Sequence, residues 1–313
     1  MRDLILTFIL ELLSIMTKPN KTVLIVLAFI AIYVIWGSTY LLNKVVVAEV
    51  SPLFLGSIRF TIAGLLIFAI AKIMKFNLSI TKKQLLNSVI ASFLFLVYGN
   101  GVFVWGLKYV DSGFAALEAS TQPIVILILM RVIDGKKIQA KSILGITLGI
   151  VGVVLLISQD QIVFQEGSIK GILIIFSSVI SWAFGSLFVA KADLPANYFI
   201  STGYQMIIAG LLLCVSSLIF GEPWLSPVFW SSSAQFSMLL LIIFGSIVAF
   251  TSFNFLLKAV SPEKVATFSY VNPIIALFLG WFTLNEKLTT QSIIAAFILL
   301  LGVYFINARK RIS

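Results

Sequence analysis

Apolar segments about 20 residues long recur along the whole chain and constrain its fold more than any other feature. A bilayer core about 30 Å thick is crossed by about 20 helical residues. Of the 313 residues, 60% are hydrophobic and 11% are charged, whereas about 25% are charged in an average soluble domain. The sequence therefore predicts an all-α integral membrane protein with little length left for a separate soluble domain.

Windows of apolar residues predict ten transmembrane helices joined by short connections. Residues 1–21 precede the first helix, and their apolar part, residues 4–16, is too short to span a bilayer. We expect an interfacial helix in this cytoplasmic segment, or a true start of the chain at Met16. Residues 308–313 form a basic cytoplasmic tail. The predicted spans lie near residues 22–43, 52–71, 85–107, 112–133, 142–158, 168–190, 198–220, 235–257, 263–284 and 290–307.

Basic residues are distributed unevenly between the alternate loops. Of the 22 Lys and Arg residues, only Lys44, Lys108, Lys170 and Lys287 fall on the side opposite the N-terminus, and Arg59 lies within a span. The positive-inside rule then places both termini in the cytoplasm of a multi-pass protein of the cytoplasmic membrane. Topology accounts for the net charge of +10, so nucleic acid is not needed as a partner to explain it.

The two halves of the chain align with each other. Residues 106–125 align without a gap on residues 256–275, at an offset of 150. With small gaps, residues 59–66 align on residues 205–212. An internal duplication decides the architecture of a chain, so it takes precedence over single motifs in the interpretation.

Each half contains an odd number of spans. The first repeat covers residues 22–158 and the second covers residues 168–307, with five predicted spans in each. The second repeat must therefore enter the membrane from the side opposite to the first. Inverted-topology repeats are typical of secondary transporters, whose substrate site lies near the bilayer midplane between the repeats.

Short motifs occur in the spans and connections of both halves. They are Trp36-Gly37-Ser38-Thr39, Arg59-Phe60, Ala63-Gly64, Pro123, Pro273, Gly280, Asn285-Glu286-Lys287-Leu288-Thr289, Gln291 and Gly302-Val303. With these motifs the chain resembles the EamA-type transporters of the drug/metabolite transporter superfamily over residues 22–307. The resemblance implies a ten-helix carrier for amino acids, other metabolites or drugs, driven by ion or solute gradients without ATP. Ala295 and Glu118 depart from the family pattern, where a glycine and an apolar residue are usual.

Two ionisable side chains lie well inside the predicted spans, Arg59 and Glu118. Each is six or seven positions into its helix, about 10 Å below the outer boundary at about 1.5 Å per residue. Charges in a bilayer core normally face a partner or a cavity. One interpretation is a buried ion pair that pins two helices. The other is a substrate site in which Arg59 binds an anionic group and Glu118 binds an ammonium group or a coupling proton.

Polar and aromatic side chains inside the spans are further candidates for substrate binding. Inverted repeats would place the set from the first half outward of the midplane and the set from the second half inward, as alternating access requires. Packing or anchoring at the interface is the alternative for each aromatic residue. The candidates are Trp36, Tyr98 and Asn100 in the first repeat and Gln205, Tyr270 and Asn272 in the second.

Two prolines predict where helices bend, and a face of small residues predicts where helices pack closely. Pro123 and Pro273 fall near the middle of their predicted spans, where each would remove a backbone hydrogen bond, and we interpret them as gating hinges. Gly145, Gly149 and Gly152 share one face of span 5. Such a face favours close packing inside the bundle, with a weak homodimer as the alternative to a monomer.

The residue types that are missing exclude several functions. The chain has no histidine and a single cysteine, Cys214, which removes His-based triads and the common metal sites, so neither a metal nor a cofactor is predicted. A Walker A motif is also missing from the sequence. We predict a secondary transporter, not an enzyme, that exports an amino acid or a related zwitterion with proton or solute coupling. Efflux of hydrophobic or aromatic drugs is the alternative, and an intramembrane enzyme is a remote one.

Overall fold

The computed structural model describes residues 20–106, 109, 118–135, 137–158, 168–284 and 289–307, and within these ranges the chain is helical without β-strands. Two π-helical segments, Phe93–Val102 and Leu241–Val248, continue α3 into α4 and α9 into α10. The helices are α1 (Lys21–Val47), α2 (Pro52–Ile73), α3 (Lys82–Ser92), α4 (Phe103–Gly106), α5 (Gln122–Asp134), α6 (Ala140–Ile157), α7 (Ser168–Lys191), α8 (Tyr198–Ile219), α9 (Ser232–Leu240), α10 (Ala249–Ala259), α11 (Pro262–Val265), α12 (Phe268–Leu284) and α13 (Thr290–Asn307).

The predicted all-α membrane architecture is confirmed, but the count of ten full-length spans is not exact. In the described part of the chain, six helical stretches are long and apolar enough to cross a membrane. They coincide with predicted spans 1, 2, 3, 6, 7 and 8. Predicted spans 4, 5, 9 and 10 correspond to α5, α6, α12 and α13, which have 13, 18, 17 and 18 residues. The N-terminal segment and the basic tail lie outside the described residues.

The third span of each half begins with a hydroxyl cap at an equivalent position. Thr81 caps α3 in a reciprocal capping box with Gln84, and the Ser231 side chain accepts from the backbone N–H of Ala234 at the start of α9. Hydroxyl caps satisfy backbone donors that the first helical turn leaves without partners. The two caps are separated by the same offset of 150 residues that relates the two halves.

The equivalent helices α2 and α8 pack on each other through equivalent glycines. A Cβ atom at Gly64 would lie 2.6 Å from Cγ1 of Ile207, and one at Gly210 would collide with Thr61. Later residues of α2 contact earlier residues of α8, so these two helices run antiparallel. Thr61 aligns with Ile207 and Gly64 with Gly210, so each contact is the counterpart of the other.

A second glycine-lined contact joins α6 to α13. A Cβ atom at Gly152 would lie 2.7 Å from Cγ of Leu299, and one at Gly302 would lie 3.0 Å from the backbone N of Gly149. These helices are again equivalent in the two halves and antiparallel. The small-residue face of predicted span 5 therefore packs inside the chain, as the first of its two interpretations stated.

Helices α1 and α7 each pack against helices of the other half. Helix α1 packs against α9, α10 and α12 of the second half, whereas α7 packs against the first π-helical segment, α4 and α5 of the first half. The largest apolar cluster includes Trp36, Phe95, Phe253 and Phe268. It lies where these crossing helices meet, so both halves contribute to the centre of the bundle.

Candidate functional site

Two tryptophans from the two halves meet at the centre of this apolar cluster. The ring centroids of Trp36 on α1 and Trp182 on α7 lie 5.7 Å apart, with an interplanar angle of 83°. Both rings also contact Phe253, at 5.0 and 5.6 Å, and both contact Phe268. Edge-to-face packing of this kind is the favoured geometry for buried rings. We refer to Trp36 and Trp182 as the tryptophan pair.

The indole of Trp36 is held by the second π-helical segment. Its Nε1 donates to the carbonyl oxygen of Gly245 at 3.1 Å. Gly245 also lies close to Arg59, since a Cβ atom at this glycine would be 2.9 Å from Nη2 of the guanidinium. One glycine thus positions both a predicted site tryptophan and a predicted site cation, in a type of helical irregularity that is frequent at functional sites.

Arg59 is buried and held by neutral groups. The residue is 5% exposed. Its Nε donates to Oγ of Ser246 at 2.8 Å, its Nη1 donates to Oδ1 of Asn43 at 3.5 Å, and its guanidinium lies 5.1 Å from the ring centroid of Phe60. In the described part of the chain no carboxylate forms an ion pair with it. The charge is hydrogen-bonded, but no opposite charge neutralises it there.

Glu118 is buried one turn before α5. The residue is 7% exposed. The hydroxyl and the backbone N–H of Thr121 both donate to its backbone carbonyl, at 2.6 and 3.0 Å. Its carboxylate oxygen Oε2 is buried and has no hydrogen-bond partner, and among the residues the structure describes no cation pairs with it.

The predicted ion pair between Arg59 and Glu118 is therefore wrong. Arg59 points from α2 toward the π-helical segment of the second half, whereas the helix that follows Glu118 packs on α7. Gly245 lies beside Arg59 and accepts a hydrogen bond from Trp36, so Arg59 is next to the tryptophan pair. Both side chains are buried, as the sequence predicted, but each faces different neighbours.

Two further polar side chains also have a buried atom without a hydrogen-bond partner. Nε2 of Gln122, a residue that is 5% exposed, and the buried Nε1 of Trp182 have no hydrogen-bond acceptor. Sequence reasoning missed Gln122, which begins α5 directly after the helix break at Thr121. Most buried polar groups in folded proteins are hydrogen-bonded, so such exceptions mark places where a ligand or water belongs.

Two of the predicted residues, Tyr98 and Asn100, lie on the first π-helical segment. The hydroxyl of Tyr98 donates to Oγ of Ser177 at 3.3 Å. Asn100 is half-buried. Their position on the third span, facing α7, brings them near the tryptophan pair through Gly99, where a Cβ atom would lie 3.0 Å from Cε3 of Trp182.

Gln205 lies in a separate polar cluster between α8 and α10. It is fully buried, and its Nε2 donates to Oγ of Ser201 at 3.1 Å and to Oδ1 of Asn254 at 3.5 Å. Asn254 donates in turn to Oγ1 of Thr202 at 3.1 Å. Most of the polar atoms in this cluster satisfy one another, which indicates a structural contribution.

The structure separates the two predicted residues of α12. The ring of the fully buried Tyr270 packs on Gly149 of α6, and its hydroxyl has no hydrogen-bond partner. Asn272 faces α1, and its amide nitrogen is oriented to donate to the carbonyl oxygens of Tyr33 at 3.2 Å and Phe268 at 3.1 Å. Asn272 thus borders the tryptophan pair through Phe268, whereas Tyr270 points away from it.

The two prolines are not equivalent in the structure. Pro273 lies inside α12, as predicted. Pro123 lies in the first turn of α5, where a missing N–H costs no hydrogen bond. Residues 118–120 are helical and the helix breaks at Thr121, just before Pro123, as expected of a proline that interrupts a helix; its role as a hinge stays a prediction.

Polar contacts link the ends of α1 and α7 to helices of the other half. Just after α1, the exposed carboxylate of Glu49 accepts from the Ser231 backbone N–H at 2.8 Å and from its hydroxyl at 2.5 Å. The hydrogen bond from the Ser231 hydroxyl has the largest effect in lowering the pKa of Glu49, and the one from its backbone N–H also lowers it. Just after α7, Oδ1 of Asp193 accepts from Nε2 of Gln84 at 3.2 Å. We call these contacts the α1–α9 clasp and the α7–α3 clasp.

The end of α7 makes two further polar contacts. Lys191 forms an ion pair with Asp134 at the end of α5. Nζ of Lys258 donates to the carbonyl oxygen of Ala192 at 2.6 Å, a favourable place for a cation because the last carbonyls of a helix carry partial negative charge. Among the described residues, no group of three His, Cys, Asp or Glu side chains is arranged to hold a metal ion.

Comparisons with known proteins agree with this architecture. The EamA-like transporter family matches the chain twice, over residues 23–158 and 169–308. The chain is 32% identical to the inner membrane transporter YedA of Escherichia coli (strain K12) over 284 residues, 90% of each chain. It is 23% identical to the transporter YoaV of Bacillus subtilis (strain 168) over 92% of this chain and 99% of YoaV. A crystal structure with 17% sequence identity superimposes with a TM-score of 0.75, covering 90% of this chain and 95% of the other.

Proposed function

The chain belongs to the EamA-like transporter family, and on that premise we propose that it exports an amino acid or a related zwitterion by alternating access. It is a multi-pass membrane transporter. The inner membrane is the proposed location, because the similar YedA is named as an inner membrane transporter. Both termini are placed in the cytoplasm by the distribution of basic residues, and the active unit is proposed to be a monomer or a weak homodimer.

The observation that carries the substrate class is the pair of buried charges that do not neutralise each other. Arg59 and Glu118 are 5% and 7% exposed. A buried charge without a counter-charge is costly, most of all at membrane depth. A solute with one positive and one negative group would neutralise both, with its amine at Glu118 and its anionic group at Arg59.

Alternating access is supported by the antiparallel packing of equivalent helices. Because α2 runs opposite to α8, and α6 runs opposite to α13, we propose that the two repeats have inverted topology. Rocking of one inverted repeat against the other opens a central site to each side in turn. The two clasps lie at equivalent helix ends of the two halves, so breaking one while keeping the other would define the two access states.

The remaining predicted residues are proposed to line the solute path. Trp36 belongs to the tryptophan pair, and Tyr98, Asn100 and Asn272 are proposed to lie along the path that opens when the pair separates. Gln205 and Tyr270 lie farther away and are proposed to contact the solute only in the other access state. A proton or a second solute is the proposed coupling partner, and the chain itself needs no cofactor for this function.

Efflux of aromatic or hydrophobic compounds is a second candidate, favoured by one specific observation. The tryptophan pair and its phenylalanine neighbours form a ring-lined centre shared by both halves. Aromatic solutes would stack in this centre once the pair separates. Under this alternative, the substrate would not need to contact Arg59 or Glu118.

Thermal unfolding of the detergent-purified protein separates the two candidates. A ligand that binds only the folded state stabilises it by RT ln(1 + [L]/Kd), about 2.7 kcal/mol at a hundredfold excess over Kd. Amino acids, amines, nucleosides, sugars and aromatic drugs are compared on the wild type and on Arg59→Ala. We expect a shift with amino acids that Arg59→Ala removes. A shift that only aromatic drugs produce, unchanged in Arg59→Ala, would support the second candidate.

Uptake into proteoliposomes tests the transport class itself. Vesicles preloaded with the solute that gives the thermal shift are expected to exchange it with labelled external solute. Glu118→Gln keeps the size and polarity of the side chain but removes its charge, and exchange should fall to the level of empty vesicles. Chemical conversion of the solute instead of its exchange would contradict the proposal.

A further inference from the structure

The loop between α8 and α9 is four residues longer than its counterpart in the first half. Helices α2 and α8 begin 146 residues apart and each have 22 residues. Helices α3 and α9 begin 150 residues apart, at Lys82 and Ser232. The α8–α9 loop spans residues 220–231 and the α2–α3 loop spans residues 74–81, so the extra residues lie in the connection and leave the preceding helix unchanged in length.

The longer loop exposes large apolar side chains. Its 3₁₀-helical turn, Pro227–Phe229, presents Val228 and Phe229, which are 82% and 75% exposed. In the α2–α3 loop, by contrast, Phe76 and Leu78 are half-buried. Contiguous exposed apolar surface on a connection between helices indicates a place where a partner or a membrane covers it.

The charge nearest to this turn is directed into the protein. Residues 194–257 contain a single charged side chain, Glu222. Its carboxylate accepts from the backbone N–H groups of Leu53 at 3.3 Å and Phe54 at 2.9 Å, and from the Ser217 hydroxyl at 2.9 Å. The two N–H groups belong to the first turn of α2, where a carboxylate is favoured. The surface of the α8–α9 loop is therefore uncharged and largely apolar, which fits hydrocarbon better than water.

Hydrogen bonds hold the turn close to the start of α9. Nε2 of Gln235, in the first turn of α9, donates to the carbonyl oxygens of Pro227 at 3.0 Å and Trp230 at 3.1 Å. Nε1 of the buried Trp230 donates to the carbonyl oxygen of Leu225 at 3.0 Å. The turn is thus fixed beside the end of the helix bundle.

The lipid-facing surface of α8 ends next to this loop. A helix of 22 residues such as α8 is about 33 Å long, which is close to the thickness of the bilayer core, about 30 Å. Leu218 and Ile219 at the end of α8 are exposed, as is Phe220 directly after it. On α9, the residue that follows Gln235 is the exposed Phe236. The apolar turn therefore continues a surface that faces lipid on the helices at either side.

We propose that the turn Pro227–Phe229 inserts Val228 and Phe229 into the membrane leaflet at this end of the bundle, so that lipid acyl chains cover both side chains. In the topology proposed above, this is the outer leaflet. Apolar groups of interfacial segments are typically buried about 5–10 Å into the boundary between headgroups and acyl chains. The loop ends at Ser231, the partner of Glu49 in the α1–α9 clasp, so insertion holds one side of that clasp at the membrane surface. This contact with lipid does not depend on which solute is transported.

Spin labelling of the protein in phosphatidylcholine vesicles tests the insertion. The chain's only cysteine, Cys214, is replaced by serine, and a nitroxide is attached to Phe229→Cys and, in a separate variant, to Val228→Cys. Power saturation measures how often each nitroxide collides with oxygen, which concentrates in hydrocarbon, and with a neutral nickel complex, which stays in water on both sides of the vesicle.

Two reference positions calibrate the ratio of oxygen to nickel collisions. Phe236→Cys provides the lipid-facing reference on α9. Ser79→Cys provides the matched aqueous control, because Ser79 is exposed in the α2–α3 loop and the substitution conserves its size. We expect the ratios at positions 228 and 229 to be close to that of Phe236→Cys and well above that of Ser79→Cys.

Every other outcome contradicts insertion. A ratio close to that of Ser79→Cys at either position would place the turn in water and overturn the proposal. Rare collisions with both reagents would show that protein covers the turn, a second copy of this chain or another partner, and would also overturn it. Val228 and Phe229 are both exposed, so the labelled variants should unfold at the wild-type temperature. If one variant fails to fold, the other carries the test, and failure of both would show that these side chains pack on protein and not on lipid.

Discussion

Arg59 donates through Nε to Oγ of Ser246 at 2.8 Å, so the buried cation of the first half is held by the π-helical segment of the second half. The contact joins helices that must move relative to each other in alternating access. No carboxylate among the described residues pairs with this guanidinium. Effects of substitutions at Arg59 and at Glu118 should therefore be independent.

A double-mutant cycle tests this independence. Arg59→Ala and Glu118→Ala should each abolish solute binding, and the double variant should still fold. When two sites share no partner, the effects of their substitutions on the free energy of unfolding add to within about 0.3–0.5 kcal/mol. We expect a coupling no larger than that in unfolding of the purified protein. A coupling of several kcal/mol would show that the two charges do pair.

Glycine at position 210 should be needed for the contact between the two halves. In Gly210→Ala the added methyl would meet the backbone of Thr61, which cannot yield like a side-chain end. Overpacking of this kind typically costs about 1–3 kcal/mol. The unfolding temperature of Gly210→Ala should fall accordingly.

Gly56→Ala is the matched control for that substitution. Its added methyl would meet only Cδ1 of Leu213, at 2.9 Å, the mobile end of a flexible side chain. The control should cost clearly less stability than Gly210→Ala. Equal losses in the two variants would contradict the close backbone approach at Thr61.

Acid should weaken the α1–α9 clasp. Hydrogen bonds from Ser231 lower the pKa of Glu49 from its ordinary value of 4.5, so the folded state holds this carboxylate more strongly as an anion. The contribution to stability is present above the ordinary pKa and is lost as the pH falls through the lowered pKa of the folded protein. The wild type should therefore lose more stability below about pH 4.5 than Glu49→Gln. Parallel pH profiles of unfolding temperature in the two proteins would show that the clasp contributes nothing.

The two prolines should differ in their effect on transport. Pro273 lies inside α12, where it removes a backbone hydrogen bond, whereas Pro123 lies in the first turn of α5. If α12 bends during the transport cycle, Pro273→Ala should slow exchange in proteoliposomes by restoring the missing bond. Pro123→Ala should leave the exchange rate within about twofold, since no bond is restored there. Slower exchange in Pro123→Ala than in Pro273→Ala would reverse this assignment.

The burial of each charge was accessible from the sequence, but its neighbours were not. Arg59 and Glu118 were predicted inside spans, and both are buried. Their failure to pair depends on which helix each span packs against. That choice is made by glycines such as Gly210, whose role depends on a contact 149 residues away in the chain.

Local competition for backbone hydrogen bonds accompanies the helix break next to Pro123. The hydroxyl and N–H of Thr121 take the carbonyl of Glu118, so the regular helix begins only at Gln122. Threonine is common both inside helices and at their starts, and apolar periodicity does not distinguish the two. Hydropathy alone therefore joined residues 112–133 into one span, and no pattern in the sequence predicted the π-helical segments.

The glycine-lined contacts determine whether the two halves of the chain can fold separately. The glycine contacts of α2 and α6 described above are completed by α8, α12 and α13 of the second half, so each of these grooves is filled by the other half. A chain cut between residues 158 and 168 would still consist of two complementary pieces. Synthesised alone, either piece would expose to lipid the grooves that the other was shaped to fill. The duplicated sequence is therefore two copies by descent but one unit of folding.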